Sequence, residues 1–315
     1  MRRLALAALF LLGCSSESSS AAPTDAGKDT GASDARAACV PFAAALCARF
    51  AACSDFVIGA SFGDEAGCRA SVEQRCKGVI GLPGVVYGAA EIGTCTRNVP
   101  TSTCESLFGG AVFDLCSLPA GTLGDGKRCF DAAQCSSGVC RQPVGEECGV
   151  CVKAPAVGEP CADGSCSPAL TCVSGKCLER AQPGKPCVES RQCPLAYSCV
   201  GGVCVASLAE GAPCDPTGKA GNSCSLKDGL VCLGIPPTGS CSKVGLADVG
   251  NACGQSGPTT VTLCKASGNC KGSPTGVCEA APGPGEPCAA TGNLCAAATR
   301  CIGGICRIPD PTVCN

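Results

Sequence analysis

The chain predicts a small disulfide-rich architecture: a cysteine-stapled α-helical domain followed by tandem Cys-rich modules with short β-hairpins and little regular secondary structure. Three observations point there. Cysteine supplies 35 of 315 residues, a density that marks a disulfide scaffold in an exported chain. After residue 121 one unit recurs about six times, opening at Gly126, Gly158, Gly184, Gly211, Gly250 and Gly285, each followed three residues later by Cys. Before it, residues 38–120 carry a three- and four-residue apolar spacing and hold Phe42, Phe50, Phe56, Phe62, Phe108 and Phe113 of the chain's 8 phenylalanines.

The amino terminus, residues 1–13, reads as a signal peptide. Arg2 and Arg3 precede the apolar run Leu4 to Leu12, which as a helix would rise about 14 Å and span less than half of a bilayer core. The run ends Leu11-Leu12-Gly13-Cys14, which resembles the lipobox of bacterial lipoproteins, with Leu12 where that family more often has Ala or Ser. The resemblance implies cleavage before Cys14, diacylation of its sulfur and acylation of the new amino group. Ser15 after that cysteine implies, by the same family's sorting pattern, delivery to the outer membrane, with the periplasmic and cell-surface faces both open. An ordinary signal peptide with a chance cysteine is the plainer reading. Against it, setting Cys14 aside leaves 34 cysteines, an even number. Residues 15–37 are rich in Ser, Ala, Asp and Gly and lack both cysteine and apolar periodicity. Residues 14–37 are therefore expected to be the lipidated Cys and a flexible tether, with several acyl chains holding the protein firmly to the membrane.

A Cys-rich helical domain is expected over 38–120. Cys39, Phe42, Leu46, Cys47, Phe50 and Cys53 form a helical stripe, with Pro41 suited to the first turn. Asp64 and Glu65 would cap and charge a second helix whose apolar line is Cys68, Val72, Cys76 and Val79. Gly81-Leu82-Pro83-Gly84 ends it. A third helix covers Tyr87–Arg97 with Ile92 and Cys95, and Ser102-Thr103-Cys104-Glu105 reads as a capping box for a short fourth. With Cys104 and Cys116 the block holds 8 cysteines, enough for internal pairing. Leu118–Gly124 reads as the linker out.

Residues 121–315 hold 26 cysteines. They run Cys129, Cys135, Cys140, Cys148, Cys151, Cys161, Cys166, Cys172 and Cys177; then Cys187, Cys193, Cys199 and Cys204; Cys214, Cys224, Cys232 and Cys241; Cys253, Cys264, Cys270 and Cys278; Cys288, Cys295, Cys301 and Cys306; and Cys314. Opening cysteines lie 26 to 39 residues apart. Segments that short bury too little apolar surface to offset chain entropy, and disulfides contribute the difference, about 2–4 kcal/mol each. The closures Cys172–Cys177, Cys199–Cys204 and Cys301–Cys306 place Ser-Gly or Gly-Gly between Val or Ile, the pattern of a two-residue hairpin with its cysteines opposite each other. In the fourth and fifth units the closure lengthens to Cys232–Cys241 and Cys270–Cys278, with Pro236, Pro237 and Pro274 in the loop. Pairing cannot be deduced, since one four-cysteine unit already admits three connectivities. Pro183, Pro213, Pro282 and Pro284 between units allow either stacking or independent beads.

The order of cysteines from Cys129 to Cys177, including Cys148-Gly-Val-Cys151, resembles the amino-terminal cysteine-rich domain of Dickkopf proteins. Cys166 stands alone where that family has an adjacent pair. The resemblance implies a disulfide fold and, for the animal family, a secreted signalling antagonist. Cys148-Gly-Val-Cys151 also admits a thioredoxin-like redox pair or half of a zinc ribbon. The first needs a strand-to-helix context that Pro143 and Pro155 oppose, and the second needs another Cys-x-x-Cys.

Histidine is absent, which removes Ser-His-Asp and Cys-His catalysis and a switch titrating near neutral pH. Net charge is −2 with no basic block, so nucleic acid is not an expected partner. The reading is a non-enzymatic cell-envelope lipoprotein, without catalytic residues, cofactor or metal, that presents stapled repeats to a protein or glycan ligand or forms a stalk. The alternatives are a secreted-type inhibitor or signalling antagonist and, more remotely, a thiol-disulfide protein using Cys148 and Cys151.

Overall fold

The computed structural model describes residues 29–315, apart from 109–115, 117, 144, 162–165, 168–169, 218–222, 273, 289–294, 297–298, 309 and 315. Arg2, Arg3, the lipobox and Cys14 lie outside the described residues.

Among the described residues the first domain is built on α1 (Asp29–Cys53), α2 (Asp55–Phe62), α3 (Glu65–Val79), α4 (Ala89–Asn98) and α5 (Cys104–Phe108). Helix α1 overturns two expectations. Residues 29–37 are helical rather than tether, and Pro41 lies inside the helix rather than in its first turn. The cause is packing: Ala35 buries against Cys39, Ile80 and Ile92, which overrides the weak helix propensity of Asp29, Thr30, Gly31, Ser33 and Asp34. A single residue, Ser54, separates α1 from the unforeseen α2. Its backbone is extended, and its Oγ accepts the Val57 N–H at 3.0 Å, which caps the new helix. Asp64 caps α3 as expected, accepting from Gly67 N at 2.7 Å. Thr103, not Ser102, caps α5, accepting from Ser106 N at 3.1 Å, while Ser102 Oγ donates to Val99 O.

The core forms where the phenylalanines predicted it. Leu46, Phe50, Ile58, Val72, Val99 and Leu107 bury together, with Phe50 and Phe108 rings 5.7 Å apart. Bridges Cys39–Cys76 and Cys47–Cys68 tie α1 to α3, Cys53–Cys104 ties it to α5, and Cys95–Cys116 closes the block. Residues Ser33–Cys53 are long and apolar enough to cross a bilayer, yet this helix is the centre of the bundle, bridged at Cys39, Cys47 and Cys53.

Six hairpin units follow, held in small sheets of two to five strands. Leu118–Gly124 is not a free linker. Thr122 N donates to Gly84 O at 2.8 Å and Leu123 N to Gln134 O at 2.8 Å, so this segment docks the first unit on the helices. Arg75 reaches Asp131 across the same joint at 3.3 Å. Tyr87 stands nearby. Burial raises its phenol pKa far above the ordinary value, with Asp131 adding to the rise and Arg75 opposing it.

Nor are the units independent beads. Arg191 donates to Cys172 O and Gln192 Nε2 to Glu179 O, joining the second unit to the third. Ala266 N donates to Gly59 O at 3.1 Å and Ser267 N to Ala60 O at 2.8 Å, seating the fifth unit on α2. The sixth returns to the first: Arg300 bonds Gln142 at 2.9 Å and lies 4.9 Å over the Phe130 ring, and Cys148 bridges Cys314.

Candidate binding site

The repeated unit is a single device built from one glycine and two bridges. Gly126, Gly158, Gly184, Gly211, Gly250 and Gly285 all have φ between +74° and +87°, a region that disfavours any side chain. That bend aims each glycine N–H at the carbonyl of the unit's last cysteine, at 2.7–2.8 Å in all six. The last cysteine in turn donates its N–H to the residue after the glycine, as Cys177 does to Glu159 O at 2.9 Å and Cys306 to Glu286 O at 2.8 Å. The clamp explains the spacing: it brings the opening cysteine alongside the closing hairpin.

Bridging follows one rule, first cysteine to third and second to fourth. The pairs are Cys129–Cys140 and Cys135–Cys151, Cys161–Cys172 and Cys166–Cys177, Cys187–Cys199 and Cys193–Cys204. They continue with Cys214–Cys232 and Cys224–Cys241, Cys253–Cys270 and Cys264–Cys278, Cys288–Cys301 and Cys295–Cys306. The closing cysteines do sit opposite each other, Cys172 to Cys177 and Cys199 to Cys204, but each bonds back to the loop.

Cys148 is the exception. It occupies a lengthened first hairpin between Cys140 and Cys151 and reaches Cys314, while Cys151 bonds Cys135. Cys148 and Cys151 therefore do not form a dithiol pair, and the redox reading of that motif falls. The Dickkopf-like stretch from Cys129 to Cys177 likewise splits into two units that share no bridge.

Residues 166–205 match the family model of the EB module. No curated protein and no solved structure matches the chain. The EB module match takes in the closing hairpin of the second unit and the whole of the third. Within it Gln192 has a role that sequence reasoning missed. Its Oε1 accepts the Val188 and Glu189 N–H groups at 2.6 and 3.4 Å, locking the turn before Cys193. Gln134, just before Cys135 in the first unit, repeats this with Phe130 and Asp131 at 2.7 and 3.1 Å, and its Nε2 donates to Pro83 O at 2.8 Å. A Gln-Cys pair at the same place in both units was the available signal.

Concavity is found at the joint between helices and repeats. A cleft of ≈ 760 Å³ lies between the α1–α2 corner (Ser54, Asp55, Phe56) and Lys227, Asp228, Lys243 and Leu246. Ser54 Oγ donates to Lys227 O, Lys227 pairs with Asp228 at 2.8 Å and Ser225 Oγ donates to Asp228 at 2.6 Å. Burial pushes the Asp228 carboxyl up, but the bonds from Lys227 and Ser225 outweigh it and hold the group below the ordinary value. These polar groups satisfy one another, and Ala51, Phe56, Val244 and Leu246 also line the cleft. Three sulfurs gather within 4.8 Å in several units, such as Cys129, Cys135 and Cys151, and every one of these three is committed to a disulfide.

Proposed function

We propose that the chain is a non-enzymatic cell-envelope lipoprotein, held to the outer membrane through Cys14, that presents a rigid array of disulfide modules to a protein or glycan ligand. The observation that carries this reading is the six-fold recurrence of one glycine clamp and one bridge pattern, among described cysteines that are all oxidised. Bridges in that number belong to an exported chain, and the EB module match fits an extracellular binding or structural role. Surface loops of variable length on a fixed frame are how such scaffolds meet partners. The alternative, a secreted-type inhibitor or signalling antagonist in which one repeat loop blocks a partner, would use the same loops.

Replacement Cys14→Ser should move the protein from the detergent phase to the aqueous phase and abolish fatty-acid labelling; unchanged partition would remove the anchor. Non-reducing peptide mapping should return the first-to-third, second-to-fourth pairs with no free thiol in the repeats. Several unpaired cysteines there would sink the scaffold itself.

A further inference from the structure

The hairpin of the fourth unit departs from the others in two ways. Its strands, Leu230–Ile235 and Thr238–Lys243, run three residue pairs beyond Cys232–Cys241, where the third unit's run one pair beyond Cys199–Cys204. It therefore projects about 7 Å further. Ile235 at its end is 74% exposed, and Leu230 to Ser242 contain no charged residue.

The second difference is an open edge. Cys241 donates its N–H to Ala212 O at 2.9 Å and accepts from Gly211 N at 2.8 Å, so both its groups point away from Cys232. In an antiparallel ladder that makes Cys232–Cys241 a pair without mutual hydrogen bonds, and Cys232 and Gly234 aim their N–H and C=O groups out of the sheet. In the second and third units groups at the matching position are engaged: Cys172 O accepts from Arg191, and Cys199 N donates to Ser190 Oγ at 3.0 Å. Among the described residues Cys232 and Gly234 have no such partner and no strand lies beyond Leu230–Ile235. The ladder has no bulge, and the strand holds neither lysine nor proline, the features that guard an edge.

We propose that this edge pairs with the same edge of a second copy of the chain, antiparallel about a two-fold axis at Leu233. Self-complementarity selects the occupant. With that axis, Cys232 of each copy faces Gly234 of the other, and the four outward N–H groups meet the four outward carbonyls. Leu233 lies beside its own counterpart, and Val231 beside Ile235, all on the face opposite the Cys232 sulfur. A neutral stretch neither repels its copy nor offers charge to select a foreign partner. The contact is one strand wide, so the association is weak, in the micromolar range or above.

Sedimentation of the full chain from about 1 µM to about 1 mM should show a concentration-dependent shift from monomer to dimer. Leu233→Lys sets two ammonium groups side by side at the axis and should leave only monomer, as should Leu233→Glu. Mixing the two variants should restore a dimer, since opposite charges then meet. A disulfide map identical to that of the parent confirms that each variant is folded. A parent that stays monomeric throughout, a dimer that survives Leu233→Lys, or a mixture that stays monomeric would each overturn the proposal.

Discussion

Single side chains carry disproportionate weight where the core is thin. Gln134 is 2% exposed and saturates two N–H groups and a carbonyl at once, linking the first unit's turn to the helical domain. Removing it strands those groups in a dry site, so Gln134→Ala should cost about 2–4 kcal/mol in denaturant unfolding. Gln192→Ala should cost less, because Gln192 is more exposed and one of its bonds is 3.4 Å long. Parent-like stability of both variants would refute the locking role. Sequence reading found the cysteines at these positions but not the glutamines, because a neutral amide has no spacing rule until its partners are located.

Among elements, α4 offers a pH test. Glu91 Oε2 accepts the Gly88 N–H at 2.8 Å, and that bond holds the carboxyl below its ordinary value. A depressed folded value means the carboxylate's contribution is complete above the ordinary carboxylate range and vanishes as pH falls through the lowered value. The Gly88 amide should lose hydrogen-exchange protection in that acid window, and Glu91→Gln, which keeps an acceptor, should flatten the dependence. Protection that is equally pH-dependent in Glu91→Gln would discard this cap. The repeat unit is the other element to test. Its bridge Cys187–Cys199 closes a short loop, with a sequence separation of 12. Replacing both cysteines by serine should cost about 2–3 kcal/mol on the chain-entropy account and leave the other bridges in place by mass mapping.

For the whole molecule the decisive bond is Cys148–Cys314, with a sequence separation of 166. It locks the last unit to the first, alongside the Arg300–Gln142 bond and the Gly303 N–H donated to Gly145 O at 3.2 Å. On chain entropy such a closure contributes at most about 5 kcal/mol, and less here because internal bridges already shorten the loop. The double replacement Cys148→Ser with Cys314→Ser should expand the particle in small-angle scattering while all other bridges persist. Unchanged dimensions would mean that the non-covalent contacts alone hold the circuit.

The sequence by itself determined the class of stabilisation, the six units, their hairpin closures and most of the helical stripes. These rest on local rules: glycine for positive φ, proline and glycine for turns, cysteine density for staples. It failed at α1, where burial of Ala35 against Ile80 and Ile92 extends a helix into a segment that composition alone assigns to a tether. Only the tertiary structure decided which cysteines meet, that Cys148 belongs with Cys314, and that the units close back on the helices. Those outcomes depend on which sulfurs folding brings within bonding distance, and separation along a chain does not encode separation in space.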